Sequence, residues 1–167
     1  MTITAAVGPS FATLGTTLAA TAGLDVKLND RASIVGEFGV LAHAPFREAA
    51  EVAPALGSAD GSRVNAYHWN GNLRLRPFEM GRVEPYVTGG IGSFTADTVV
   101  SDRFVGTSRF AEHRRATDLA TNLGAGVTYP FNDWAGVGAD YCTFFVHRDG
   151  TTPRVNRITA GLTFSVK

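Results

Sequence analysis

A single cysteine, Cys142, among 167 residues rules out a disulfide within the chain. With no basic neighbour or helix start beside it to lower its pKa, Cys142 reads as a small packed side chain. No run approaches the roughly 20 apolar residues that a membrane-spanning helix needs. That absence leaves spanning strands open, because each needs only about 9–11 residues and its signal is weak alternation. An excess of either charge is also missing: 15 Lys and Arg balance 15 Asp and Glu, so there is no electrostatic footprint for nucleic acid. The four histidines, His43, His68, His113 and His147, lack the spacing of a dedicated metal site. Gly124-Ala125-Gly126 lies in a strand-like run with no helix after it, which argues against a nucleotide loop. No cofactor is indicated. Met1 runs straight into Thr-Ile-Thr-Ala-Ala-Val, without the basic region and apolar core of a secretory signal. An exported protein would therefore be present here as a mature or truncated chain.

What the chain does have is glycine, 19 residues, many inside strand-like runs. Interior glycine weakens an ordinary sheet but suits a small barrel that bends sharply around a crowded interior. Eight alternating runs are expected, all within one domain spanning 1–167: Thr2–Phe11, Thr17–Leu28, Ala32–Ala42, Arg63–Arg76, Val83–Ala96, Thr117–Tyr129, Trp134–His147 and Val155–Lys167. Tight turns rich in Asn, Asp, Pro and Gly fall at 29–31, 77–82 and 130–133. Long connections follow the third and fifth runs, and so sit at the other end. Phe46–Leu56, in the first long connection, reads as a loop packed on a rim or a turn or two of helix. Thr98-Val99-Val100 and Phe104-Val105 suggest that the fifth and sixth runs continue as a projecting hairpin. Eight runs without a helical crossover predict an all-β, eight-stranded antiparallel up-and-down barrel.

The apolar face decides what kind of barrel. In the fourth run Tyr67, Trp69, Gly71, Leu73 and Leu75 oppose His68, Asn70, Asn72, Arg74 and Arg76. In the eighth, Ile158, Ala160, Leu162, Phe164 and Val166 oppose Arg157, Thr159, Gly161, Thr163 and Ser165. The non-apolar faces carry Gly, Ala, Thr, Ser and Asn more than solvated charge. An eight-stranded interior is just wide enough for side chains, so small residues belong inside and the apolar faces outside, toward lipid. Leu73, Leu75, Leu123, Val127, Leu162 and Phe164 are expected to point outward. Tyr129, Phe131 and Trp134 at the third tight turn, with Phe78 and Phe164, suit a membrane–water boundary. The fifth run is ambiguous: Val87 and Ile91 share one face, Tyr86 and Phe94 the other. The alternative is a soluble lipocalin-like barrel holding an apolar ligand.

The inward faces then carry Asp25, Lys27, Glu37, Arg74, Arg76, Asp118, Asp140 and Arg157, four acids and four bases. Unpaired buried charge is costly, so these should form a paired network that fills the lumen. Glu37 and Arg74, on adjacent strands, are the expected pair, with Asp140 the next acid to consider. The second long connection adds Arg103, Arg109, His113, Arg114 and Arg115, which could meet lipopolysaccharide phosphates or a partner surface.

Val83-Glu84-Pro85-Tyr86-Val87-Thr88-Gly89-Gly90-Ile91-Gly92, Thr121–Tyr129, Val137-Gly138-Ala139-Asp140-Tyr141 and Arg157–Phe164 resemble the OmpA/OmpX-like family of eight-stranded outer-membrane β-barrels. The likeness is best from about residue 64 onward. It implies insertion into the outer membrane of a Gram-negative-type bacterium, contact with outer-membrane lipid and lipopolysaccharide, and handling by the barrel-assembly machinery. Many members end in an aromatic residue, whereas this chain ends Phe164-Ser165-Val166-Lys167. The resemblance implies no catalytic residues, and the expected role is structural or surface interaction. Some such barrels modify lipids, but no histidine stands in the His-x-Ser arrangement of the lipid A deacylases. A site assembled across strands from Ser101 or Ser108 with His113 is the remaining enzymatic alternative.

Overall fold

The computed structural model describes residues 1–12, 15–42, 63–78, 80–105, 108–148 and 152–166, with backbone alone at 12, 15, 63–64, 98–105 and 108–114. The stretch Phe46–Leu56, expected as a rim loop or a turn or two of helix, lies outside them. Eight strands form one closed barrel in chain order: β1 Thr2–Ala12, β2 Gly15–Lys27, β3 Ala32–Ala42, β4 Arg63–Leu75, β5 Glu84–Val105, β6 Ser108–Pro130, β7 Ala135–His147 and β8 Arg154–Ser165. Every neighbouring pair is antiparallel, and β1 pairs with β8 to close the ring. In a closed sheet every strand has two neighbours, so no edge is left within the barrel wall.

Register fixes the shape. Thr2 faces Asp25, which faces Val35, and the row continues through Asn72, Gly90, Asn122, Phe144 and Val155 to Ala12. One circuit therefore climbs ten residues along β1. For eight strands this stagger corresponds to a tilt of roughly 40° and an interior that side chains fill.

The tight turns form as their sequences require. Asn29 Oδ1 accepts hydrogen bonds from the backbone N–H groups of Arg31 and Ala32, at 2.9 Å each. Asn132 Oδ1 does the same for Trp134 and Ala135, at 3.0 and 2.8 Å. Both are Asx-type turns that replace the missing ladder partners.

The outer wall is apolar. Leu73, Leu75, Leu123, Val127, Leu162 and Phe164 are all exposed, Leu123 to 64%. At the tight-turn end Trp134 stacks on Phe164, and Tyr129 meets Phe131 edge-on. This is the position of an interfacial aromatic girdle. In β5, Val87 and Ile91 point outward while Tyr86 and Phe94 are buried, at 6% and 2% exposure. Large inward rings fit because the facing wall is glycine. A Cβ on Gly126 would collide with the Tyr86 ring, and one on Gly39 with the His68 ring.

Candidate functional site: the lumen and the loop-end hairpin

The lumen is layered. Nearest the tight turns, Asp25 Oδ2 accepts from Arg74 Nη1 at 2.9 Å and Arg76 Nη2 at 3.0 Å. Arg76 Nη1 also donates to Ser33 Oγ at 3.1 Å, and its Nε lies 3.8 Å from Glu84. The Arg74 guanidinium sits 4.1 Å from the centre of the Tyr86 ring, a cation–π contact. One carboxylate thus holds two guanidiniums, and Glu84 and Tyr86 offset the surplus positive charge.

The middle layer centres on Glu37 and Arg157. Their fork is bidentate, with Nη1 to Oε1 at 2.8 Å and Nη2 to Oε2 at 3.0 Å. This is the geometry that makes Arg–carboxylate pairs strong. His68 Nε2 lies 3.2 Å from Glu37 Oε1 and 3.1 Å from Arg157 Nη1. One ring nitrogen can donate to the first or accept from the second, and either role leaves the fork intact. Asp140 stands 3.9 Å from Arg157 and accepts from Thr159 Oγ1 at 2.6 Å.

Toward the loop end the filling turns apolar. Ala19, Leu41, Ala66, Phe94, Ala120, Cys142, Phe144, Val146 and Val155 form one buried cluster. His68 joins the layers: its ring is stacked with Phe94 at 6.1 Å and tilted against Phe144 at 4.7 Å. Above the cluster Arg148 donates to Asp118 Oδ2 through Nε at 2.9 Å and Nη2 at 2.6 Å. Among the cavities in the lumen, the one between Glu37, Arg74, Tyr86 and Asp140 has about 30 Å³, and one beside Asn70, Asn72 and Asn122 about 10 Å³. Volumes of this size hold a water or two, not a solute.

Seven of the eight expected lumen charges lie in these layers. Lys27 instead is exposed at the turn-end mouth. The expected Glu37–Arg74 pair is not the one formed. Arg74 faces Ser33 in the register, whereas Glu37 faces Asn70, four residues further along β3. That offset is roughly 13 Å along a strand, so Glu37 reaches across the lumen to β8 and Arg74 to Asp25 on β2. Two members fall outside the expected set. His68 stands on the polar face of its run, but alternation alone does not show that it joins a charge pair. Arg148 follows His147 at the rim, beyond the last expected inward position. Cys142 is buried, as its packed reading implied.

Among the described residues, β5 and β6 outrun their neighbours at the loop end. β4 accompanies β5 only to Val99, and β7 accompanies β6 only from Leu119. The pair continues to Val105 opposite Ser108, with a register shift between Ser101 and Arg103. Arg103, Arg109, His113 and Arg114 lie on this projection. So do Ser101 and Ser108, with Ser101 opposite Ala111 and His113 opposite Val99. Arg115, nearer the wall, places its guanidinium 5.3 Å from the Tyr67 ring. The described residues contain no group of three or more potential metal ligands.

The sequence matches the outer membrane protein beta-barrel domain over residues 5–165. The chain belongs to that family. Neisserial surface protein A is a similar solved structure, with a TM-score of 0.67 at 15% identity, covering 99% of this chain and 95% of that one. A major outer membrane protein from Thermus thermophilus superposes with a TM-score of 0.63 at 12% identity, over 98% of both chains. Ail, the attachment invasion locus protein of Yersinia pestis, gives 0.58 at 16% identity, over 98% and 94%. Ail is also known in complex with the heparin analogue sucrose octasulfate. At these identities the likeness is one of fold. No curated protein matches the sequence significantly. The chain is thus a small outer-membrane β-barrel of a bacterial family, with its apolar wall toward lipid.

Proposed function

We propose that this protein is a surface-interaction barrel: a closed, lipid-embedded support that presents the β5–β6 projection to anionic groups outside the membrane. The observation that carries this reading is the projection itself, a paired hairpin that continues beyond Val99 and Leu119, the last positions paired with β4 and β7 among the described residues. Arg103, Arg109 and Arg114 lie on it, and guanidinium groups suit phosphate or sulfate. The phosphates of neighbouring lipopolysaccharide are the nearest such groups. The polysulfate complex of Ail supports an anionic partner by analogy of fold. The lumen's part is mechanical. Paired charge below and packed rings above close the barrel to solutes, and catalysis has no role in this reading.

Sucrose octasulfate, a soluble polyanion, tests the projection. Refolded protein in zwitterionic detergent should bind it with an affinity that falls steeply as salt rises. The variant with Arg103, Arg109 and Arg114 all changed to Gln should bind about tenfold more weakly, since three charge-assisted contacts are lost. Equal affinity in the two proteins would reject the hairpin as the contact surface.

A further inference from the structure

The outer wall differs from side to side. The outward residues of β2 from Leu18 to Leu28, of β3 from Ile34 to Val40 and of β4 from Trp69 to Leu75 carry no hydroxyl, amide or charge. Across the ring, β6–β8 present a polar set on their outward face. Asn156 Oδ1 accepts from Tyr141 Oη at 3.0 Å and from Thr143 Oγ1 at 2.9 Å. The two hydroxyl oxygens lie 3.1 Å apart. Beside them Thr121 Oγ1 is 3.0 Å from His147 Nε2.

The set lies within the apolar band. Leu119, two residues nearer the loop end than Thr121, is exposed on the outer wall, and so is Phe11, the β1 residue opposite Asn156. Acyl chains offer no hydrogen bonds at that depth. The bonds within the set use both hydroxyl hydrogens. They leave the two amide hydrogens of Asn156 without a partner among the described residues, and lone pairs on the Tyr141 and Thr143 oxygens. Donors and acceptors therefore stand side by side. An anion would meet the donors but be repelled by the lone pairs, whereas a copy of the same set answers both. The wall beside the set is also low. Ala139 and Ala160 are paired across β7 and β8, Ala125 lies opposite Tyr141, and all three are exposed. Small side chains let two walls approach closely enough to bond.

We propose that the β6–β8 face pairs with the same face of a second copy of this chain. Both copies insert the same way up, so the two-fold axis runs along the membrane normal and residues meet at equal depth. Asn156 stands directly opposite Thr143 across the β7–β8 ladder, so donor and acceptor lie at nearly one depth. Each Asn156 amide donates to a hydroxyl oxygen of the other copy, twice by symmetry. Three strands about 4.8 Å apart, over an apolar band about 25 Å tall, give a face of roughly 350 Å². That is less than half of the about 800 Å² per partner in a stable soluble complex. The pair is therefore weak and reversible, and the hydrogen bonds decide which wall is used. Pairing requires the lipid-embedded wall but no ligand on the β5–β6 projection. Because β6 belongs to both surfaces, it brings two projections to neighbouring positions.

Sedimentation equilibrium of the refolded protein in density-matched zwitterionic micelles measures the pairing. The wild type should be a mixture of monomer and dimer that shifts to monomer as detergent is added. Asn156→Leu and Thr143→Val should each weaken association about tenfold, since each change removes groups on both sides of the axis. Leu24→Ala, on the opposite wall, should leave association unchanged. In phospholipid vesicles oxidised with copper phenanthroline, Ala139→Cys should link two copies by a disulfide, and Ala22→Cys on β2 should not. Native Cys142 is buried and stays silent. A monomer at every protein-to-detergent ratio would overturn the pairing, as would association that Asn156→Leu and Thr143→Val both leave intact. Equal linkage through Ala22→Cys would mean contact without a preferred wall and would overturn the face. Lipid held by the wild-type monomer in native mass spectrometry, and lost from Asn156→Leu, would assign the set to lipid instead. The heat-modified gel mobility of folded barrels establishes that each variant is folded, so a change in association reports on the face.

Discussion

The two halves of the lumen are filled by different physics. The loop-end half is filled by Phe94, Phe144, Leu41, Val146 and Val155, packed over small alanines. The turn-end half is filled by charge: Asp25 with Arg74 and Arg76, and Glu37 with Arg157. Packed rings tolerate loss gradually, because neighbours relax into a cavity. Paired charges fail abruptly, because removing one partner leaves the other buried without compensation. His68 touches both halves and so couples them.

The largest effect is expected in the charged half. Arg157→Met should lower stability by about 3–5 kcal/mol, since Glu37 keeps only a histidine beside it. Adding Glu37→Gln should recover part of that loss, giving a double-mutant cycle with a strong coupling term. Unfolding in detergent or lipid measures both. Additive single effects would mean that the two halves do not differ in kind. In the packed half Phe144→Ala is expected to cost about 3 kcal/mol through its cavity, with no recovery from any neutralising second change. At the mouth, Lys27→Gln should shift the same unfolding measurement by less than about 0.5 kcal/mol, as a solvated residue does. A Lys27 loss as large as that of Arg157 would extend the buried network to the rim.

Much of the architecture was legible in the residues, and the reason is the simple period of a strand. The alternation in β4, β6 and β8 identified the outward leucines, because one face sees lipid and the other a crowded interior. In β5 the same signal fell silent across Gly89-Gly90-Ile91-Gly92, where three residues have no side chain to alternate. Tyr86 and Phe94 point inward because glycine and small residues elsewhere in the wall make room for them, a property of other strands. The lumen partners were not legible for a related reason. Neighbouring strands are adjacent in the chain, but Glu37 on β3 meets Arg157 on β8 across the barrel. That meeting depends on a ten-residue stagger around the whole ring, which appears only when all the registers are combined. Asp118 was identified without its partner because Arg148 lies at the start of a polar connection and reads as solvated.

The contrast between packed and paired halves matters only if together they close the barrel. Single-channel recording in a planar bilayer measures that directly. The purified wild-type protein should show no steady conductance step, because side chains fill an eight-stranded interior and the lumen cavities of about 30 and 10 Å³ are the size of a water or two. A stable, reproducible pore of porin-like conductance in the wild-type protein would contradict the closed lumen and with it the reading of this barrel as a support for its surface.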